Sequence, residues 1–358
     1  MTKVLMVAGE ASADRHASKV IKALKDILPD VEIFGMGGPE MALSGMDCLY
    51  SIDDLSVMGF TDVLPRLSRI LKIFSGIKRL IRDKNPDIFV PVDLPDFNMR
   101  LARFAKARGL KVLYYIAPQA WAWRRYRAKT LSKITDGLAV IFPFEEGFFR
   151  SYGVNARYVG HPFLEGSRGL IDVRWPPERV AILPGSRYHE VLNMLPIMQG
   201  AKDILSKDFP GIEWYLPAAK GLPKELFDGI TDKEITLSQT IPDIDLAMVK
   251  SGSIAFEMAM LGVPEVICYK TSIVNYYLAK AFIGVKNIGM PNIVSGSPIV
   301  PELIQKNLTK ERLALVLRRY IEDETLYMNT RKAFEGLRAS MGKDVASREV
   351  AAWIADMV

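Results

Sequence analysis

Residues Ile88-Phe89-Val90-Pro91-Val92-Asp93-Leu94-Pro95-Asp96-Phe97-Asn98 hold the pattern on which the fold turns. The apolar run Ile88–Val92 is bounded by turn-forming residues and reads as a buried strand. At its carboxyl end stand two carboxylates three residues apart, immediately before a helical pattern. Working outward in both directions, similar runs appear at Val4–Ala8, Ile33–Met36, Val112–Ile116, Leu138–Phe142 and Tyr158–Val159, with amphipathic segments between them. Strands alternating with helices predict a parallel sheet covered on both faces.

After Gly160-His161-Pro162 a polar, Gly- and Pro-containing stretch runs to Pro177, and then the alternation restarts. Strands are expected at Val180–Leu183, Glu213–Leu216, Leu246–Val249 and Val266–Tyr269, with helices such as Glu190–Leu205 and Ile254–Leu261. From Lys310 the pattern is helical to Val358, with no further strand. A length of 358 residues also exceeds what one core usually supports, about 250–300 residues. The expected fold is α/β, with two Rossmann-like doubly wound domains facing a cleft and a helical C-terminal tail. Residues 1–162 are expected to form the N-terminal domain, 163–342 the C-terminal domain, and 343–358 a helix packing back on the N-terminal domain. Ligands of such folds bind at the carboxyl ends of the strands.

Composition narrows the class. With 49% hydrophobic and 25% charged residues the chain reads as an ordinary folded enzyme, and its net charge of +6 favours an acidic partner. Cys48 and Cys268 lie too far apart in sequence for a C-x-x-C site, and His161 and His189 have no metal-ligand spacing. The sequence starts in an apolar strand, and no apolar run reaches the ~18 residues of a membrane span. A cytoplasmic or membrane-apposed location is expected.

Four loops carry candidate chemistry. In Gly9-Glu10-Ala11-Ser12-Ala13-Asp14-Arg15-His16, Ser12 or Asp14 can cap the next helix and leave Glu10 toward a ligand, with Ser12 and His16 as further binding candidates. Asp93 and Asp96 are the candidate bases, since sugar transfer to a hydroxyl needs a group to take its proton. A capping role competes for both, and the sequence does not choose between them. Leu183-Pro184-Gly185-Ser186-Arg187 opens a helix, where small residues, amide N–H groups and a guanidinium suit a diphosphate; Gly185, Ser186 and Arg187 are the candidates. Ser251-Gly252-Ser253 opens another, with Glu257 one turn in to accept ribose hydroxyls. Asp243-Ile244-Asp245 has the D-x-D spacing that binds metal elsewhere, but it precedes a buried strand, so Asp245 reads as a turn residue. No metal and no cofactor is expected.

Two basic segments remain. From Leu64 to Lys84 large apolar residues recur at helical spacing among Arg and Lys, and Leu67, Ile70, Leu71, Phe74, Arg69 and Lys72 are the expected membrane contacts. A helix simply covering the sheet would show the same stripe. Arg124, Arg125, Arg127, Lys129 and Lys133 follow Trp121 and Trp123; without a nucleic-acid motif beside them, a phosphorylated lipid acceptor fits better than nucleic acid.

Together these loops resemble the bacterial lipid-A-disaccharide synthases. The matching stretches are GEASAD (Gly9–Asp14), GMGG (Gly35–Gly38), LSVMGFTDVL (Leu55–Leu64), VDLPDFN (Val92–Asn98), WAWR (Trp121–Arg124), FPFE (Phe142–Glu145), VGHP (Val159–Pro162), LPGSR with Glu190, SGS with Glu257, and MPNIVSG followed by VPELIQ (Val300–Gln305). The chain departs from the family at Ala13, where Gly is usual, at Ser253-Ile254 for Thr-Ala, and at Ala117-Pro118-Gln119 for Ser-Pro-Ser. The resemblance implies a GT-B-type fold and an inverting transfer from UDP-2,3-diacylglucosamine to 2,3-diacylglucosamine 1-phosphate, giving a β-1,6-linked disaccharide and UDP. It implies Asp96 as the first choice of catalytic carboxylate, Arg187 for the diphosphate, and Glu257 with Asn292 for the nucleotide. It also implies a place on the inner face of the inner membrane of Gram-negative bacteria. The partners are then the two sugar substrates and an anionic membrane surface, with a homodimer allowed and no nucleic acid. A UDP-N-acetylglucosamine 2-epimerase or a non-catalytic nucleotide-sugar or lipid-binding module is the alternative.

Overall fold

Val4, Leu5, Met6 and Val7 are all fully buried, with no alternation of inside and outside. That is the signature of a strand covered on both faces, as parallel sheets require. The computed structural model describes residues 1–56, 63–217, 227, 235–238, 243–272, 276, 286–342 and 345–358. The chain divides into two units, Met1–Gly166 with Lys343–Val358, and Ser167–Gly342.

In the first unit the order is β1 (Lys3–Val7), α1 (Ala11–Ile27), β2 (Glu32–Gly37), α2 (Pro39–Leu43), β3 (Asp47–Ser51), α3 (Asp53–Ser56), α4 (Val63–Asp83), β4 (Ile88–Pro91), α5 (Pro95–Lys106), β5 (Lys111–Tyr115), α6 (Tyr126–Ile134), β6 (Gly137–Val140), α7 (Pro143–Arg150) and β7 (Ala156–Tyr158). Its sheet is parallel throughout, in the order β3-β2-β1-β4-β5-β6-β7. One face packs on α1 through Ala17, Val20, Ile21 and Leu24, and on the C-terminal helix through Val350, Ala351, Trp353 and Ile354. The other face is covered by Ile73, Ile77 and Ile81 of α4, Leu101 and Ala105 of α5, and Leu131 of α6.

The second unit continues with β8 (Arg179–Leu183), α8 (Tyr188–Asp208), β9 (Glu213–Pro217), β10 (Ile235–Ser238), β11 (Leu246–Lys250), α9 (Ser253–Leu261), β12 (Glu265–Tyr269), α10 (Met290–Ser295), β13 (Glu302–Ile304), α11 (Lys310–Glu322) and α12 (Glu324–Met341). The sheet order is β10-β9-β8-β11-β12-β13, again parallel. Helix α13 (Ala346–Met357) belongs to the first unit, where Ser347 bonds Glu165 and the Lys111 ammonium bonds the Met357 carbonyl.

Both sheets reverse their strand order at one point, between β1 and β4 and between β8 and β11. The connections leave in opposite directions there, so the loops after those strands splay apart and open a crevice at each sheet's carboxyl edge. Glu10 and Asp93 follow β1 and β4; Gly185–Arg187 and Ser251–Ser253 follow β8 and β11.

One local expectation needs correcting. Helix α1 starts at Ala11 with Glu10 at the N-cap position and no side-chain cap. Asp14 is buried and accepts the N–H groups of Gly38 (2.8 Å), Glu40 (3.0 Å) and Met41 (3.1 Å), so it secures the turn into α2 rather than its own helix.

Candidate functional site

At the first unit's switch point Asp93 and Leu94 both adopt left-handed backbone conformations, φ 50° and 49°. Residues with a Cβ pay for that geometry, so the surroundings must enforce it. They do: Asn98 donates its side-chain amide to the carbonyls of Val7 (3.3 Å), Val92 (3.2 Å) and Asp93 (2.8 Å), and the Tyr114 hydroxyl donates to the Asp93 carbonyl (2.7 Å). The backbone of Asp93 is thereby pinned. Burial, reinforced by the nearby Glu10 charge, pushes its carboxyl up to about 6.

Asp96 differs in kind. It lies in the first turn of α5, 75% exposed, with one carboxylate oxygen shared by Arg127 and Arg124, the latter at 3.5 Å. Its charge is thus paired with two cations. The sequence could not separate these two aspartates because spacing carries no information about burial.

Further along the same edge, burial first and then Lys19 and Arg15 lower His16 to about 4, while burial and then His16 lower His161 to about 3. The His16 Nδ1 atom is buried without a hydrogen-bond partner among the described residues. Phe163 donates its N–H to His161 Nδ1 at 3.2 Å. Rings stack away from His161 through Phe142 (5.1 Å), Phe144 (5.9 Å from Phe142) and Trp121 (5.1 Å from Phe144). Trp121 donates its indole N–H to the buried Glu145 at 2.9 Å, and Glu145 also accepts from the N–H groups of Ile141 and Phe142. Burial nonetheless raises Glu145 to about 7. Glu145 went unnoticed in the sequence as an organiser; its signal was a carboxylate inside an aromatic stretch. Ser12 is exposed.

In the second unit Arg187 is the N-cap of α8, and Glu190 closes a capping box by accepting the Ser186 and Arg187 N–H groups at 3.3 and 3.4 Å. Gly185 has φ 118°, and a Cβ there would sit 2.6 Å from a Glu190 oxygen, so only glycine fits the turn. The Arg187 guanidinium is exposed and 3.8 Å from Glu190. Lys250, the last residue of β11, brings its ammonium 2.9 Å from the same carboxylate. This second cation between the two loops escaped the sequence reading because it looked like the polar end of a strand.

Ser251 donates its hydroxyl to the Ile288 carbonyl at 2.9 Å, Gly252 is the N-cap of α9, Ser253 is exposed and Glu257 half-buried. Asn292 does not reach outward. Its amide donates to the Val300 carbonyl (2.9 Å) and Glu302 (2.7 Å), and its carbonyl accepts from Ile299 (2.8 Å) and Val300 (3.0 Å), so all four hydrogen-bonding positions are used internally. Asn292 shapes the Ile288-Gly289 turn through Glu302, which accepts both N–H groups.

The D-x-D aspartate is likewise structural. Asp245 is fully buried and accepts the N–H groups of Arg174, Glu178 and Arg179 plus two bonds from the Arg179 guanidinium. Burial, which would raise its pKa, is outweighed by these donors, and the carboxyl titrates below its usual range.

On α4, Ile73, Ile77 and Ile81 are buried, and Phe74 packs edge-on against Phe97 at 5.4 Å. The helix therefore covers the sheet. Leu71 stays 55% exposed beside exposed Lys72 and Arg69, Ile70 is half-buried, and Arg69 pairs with Asp54. The Leu67 side chain and most of the LSVMGFTDVL stretch lie outside the described residues. Among the described residues no helix is long and apolar enough to cross a membrane.

Two parallel, doubly wound units, each with its polar loops at the sheet's reversal, define a GT-B-type fold. Acinetobacter baumannii MurG has a solved structure of this type with a TM-score of 0.58 at 14% identity, covering 100% of this chain and 99% of that one. The chain belongs to the lipid-A-disaccharide synthetase family, whose model matches residues 4–354. It is similar to the lipid-A-disaccharide synthase of Geobacter metallireducens, at 36% identity over 99% of this chain and 97% of the relative. The Myxococcus xanthus protein of that name is 38% identical over 88% and 87% respectively.

Proposed function

We propose that the chain transfers 2,3-diacylglucosamine from UDP-2,3-diacylglucosamine to the 6-hydroxyl of 2,3-diacylglucosamine 1-phosphate, with inversion, releasing UDP. The observation that carries the mechanism is the contrast between Asp93 and Asp96. Asp93 is half-buried, raised to about 6 and pinned at the β4 edge, while Asp96 is paired with arginines. A base is most useful when its pKa lies near the working pH, so Asp93 is the group that takes the acceptor proton. This departs from the family-based preference for Asp96.

Donor binding falls to the second unit. Arg187, Lys250 and the amide groups of Gly185–Arg187 and Ser251–Ser253 offset charge on the leaving diphosphate, and Glu257 accepts the ribose hydroxyls. The first unit, residues 1–162 with the C-terminal helix, takes the acceptor and rests on an anionic inner-membrane surface through the outer side of α4. Glu10, Ser12 and His16 line the acceptor side.

Radiolabelled donor and acceptor in detergent micelles test this reading. Disaccharide and UDP should form together, and a chelator should leave the rate unchanged. Turnover of the UDP-sugar without a lipid acceptor would instead favour an epimerase.

A further inference from the structure

Arg124, Arg127 and Trp123 form a cluster that donor binding and proton transfer leave unused. The Arg127 side chain is only 6% exposed, yet its guanidinium pairs with a 75% exposed carboxylate, Asp96. The Arg124 guanidinium lies 4.3 Å from the centroid of the Trp123 ring and that of Arg127 5.5 Å from it, so one indole ring meets two cations. Arg124 itself is held at φ 56°. With Asp93, Leu94 and Ile116 (φ 63°), it makes four left-handed non-glycine residues in the loops after the neighbouring strands β4 and β5. Strain concentrated in this way marks a place where the chain is shaped for a ligand.

We propose that Arg124 and Arg127, laid against Trp123, seat the phosphate monoester of the acceptor sugar, and that Asp96 holds this seat as an internal counter-ion until the phosphate displaces it. The proposal rests on the transferase reading above and names the acceptor's anchoring group. A phosphate dianion carries more charge than a carboxylate and offers three acceptor oxygens, so it outcompetes an exposed aspartate for two guanidinium forks. The location suits the chemistry. The buried Tyr114 hydroxyl, bonded to the Asp93 carbonyl, lies within electrostatic reach of Asp93, Arg127 and Asp96 together. An acceptor that presents its hydroxyl at C6 and its phosphate at C1 needs a base and an anion seat gathered around one sugar ring.

Initial rates in neutral detergent micelles test the assignment, comparing the 1-phosphate acceptor with its 1-hydroxyl counterpart for the wild type, Arg124→Gln and Arg127→Gln. The wild type should prefer the phosphorylated acceptor. Each variant should raise the KM for that acceptor about tenfold or more, while the KM for the 1-hydroxyl acceptor and for the donor stays within about twofold. Asp96→Asn should lower the KM for the phosphorylated acceptor and not for the other. Arg124 is a surface residue, so its variant carries the test should Arg127→Gln fail to fold. Equal losses with both acceptors, or no loss with either, would overturn the proposal, as would an Asp96→Asn variant inactive on both. Vesicles of phosphatidylglycerol and phosphatidylcholine separate the other phosphate source: variants that lose vesicle binding but keep the acceptor preference in micelles would show that these arginines read membrane phosphate, which also overturns it. A wild type that transfers to neither acceptor would reject the transferase reading itself, and the phosphate seat with it.

Discussion

The Lys250 ammonium lies 2.9 Å from the Glu190 carboxylate, and this contact ties the end of β11 to the first turn of the helix that follows β8. Glu190 already closes the capping box beneath Gly185–Arg187, so one carboxylate organises both loops at the second unit's strand reversal. Lys250 is largely buried, with 18% of its side chain exposed, and needs little reordering to meet a diphosphate.

Replacing Lys250 by methionine keeps the aliphatic stem and removes the charge, and the capping box survives it. Affinity for UDP should fall about ten- to hundredfold, since one charge-assisted hydrogen bond is worth about 1.5–3 kcal/mol. Calorimetric titration with UDP checks this. Unchanged affinity would take Lys250 out of the donor site.

Asp93 predicts a pH profile. A base works deprotonated, so with a carboxyl at about 6 the value of kcat/KM should fall as pH drops below about 6. Glu10→Gln removes the like charge that helps to raise it, and this acidic limb should then move to lower pH. Asp93→Asn should cost about 10²–10⁴ in kcat. The linkage to stability has the opposite sense. A folded-state value above the ordinary 3.8 contributes stability that is complete below 3.8 and is lost as pH rises through about 6. The asparagine variant should therefore melt no lower than the wild type at pH 7.5. A large loss of melting temperature would mean that Asp93 is a structural group.

How far the sequence reaches is visible in these residues. The central strands were legible because they are buried on both faces and read as unbroken apolar runs. The edge strands β3, β10 and β13 were missed: Asp47–Ser51, Ile235–Ser238 and Glu302–Ile304 are short and only partly covered, so their composition resembles that of loops. At the site, Arg187 and the glycine turn announce themselves by sequence spacing. The division between Asp93 and Asp96 does not, because it depends on which carboxylate meets Arg124 and Arg127 in space. Asn292 looks like a ligand and is spent on backbone, whereas Glu145 looks like a helix start and pins Trp121.

The exposed outer side of α4 gives a membrane test that avoids its core. Leu71→Ser with Lys72→Glu removes an apolar contact and reverses one charge, while Ile73 and Ile77 stay buried and untouched. At about 1 kcal/mol per charge near an anionic surface, the charge reversal alone should weaken vesicle binding about thirtyfold. Flotation with phosphatidylglycerol vesicles measures it, and circular dichroism should show an unchanged melting temperature. Binding equal to that of the wild type would move the membrane contact off this helix.

Glu265 opens β12 and is fully buried, and among the described residues neither of its carboxylate oxygens has a hydrogen-bond partner. Burial alone drives its pKa well above the ordinary value. Its neighbour Tyr320 registers the same environment, its hydroxyl pushed up to about 12 by burial. A carboxyl held neutral in the fold but free to ionise once unfolded contributes stability below about 4.5 that is lost as pH rises toward its folded value. Methionine has nearly the same length and no polar group to desolvate. Glu265→Met should therefore stabilise the second unit by about 1–3 kcal/mol near neutral pH, the usual cost of an uncompensated buried polar group. The gain should be larger at pH 8 than at pH 5, because the penalty grows as the unfolded carboxyl ionises. Urea unfolding at the two pH values, followed by tryptophan fluorescence from Trp214 in β9, measures the difference. A stability change that is the same at both would show that this carboxyl ionises equally in the folded and unfolded chain.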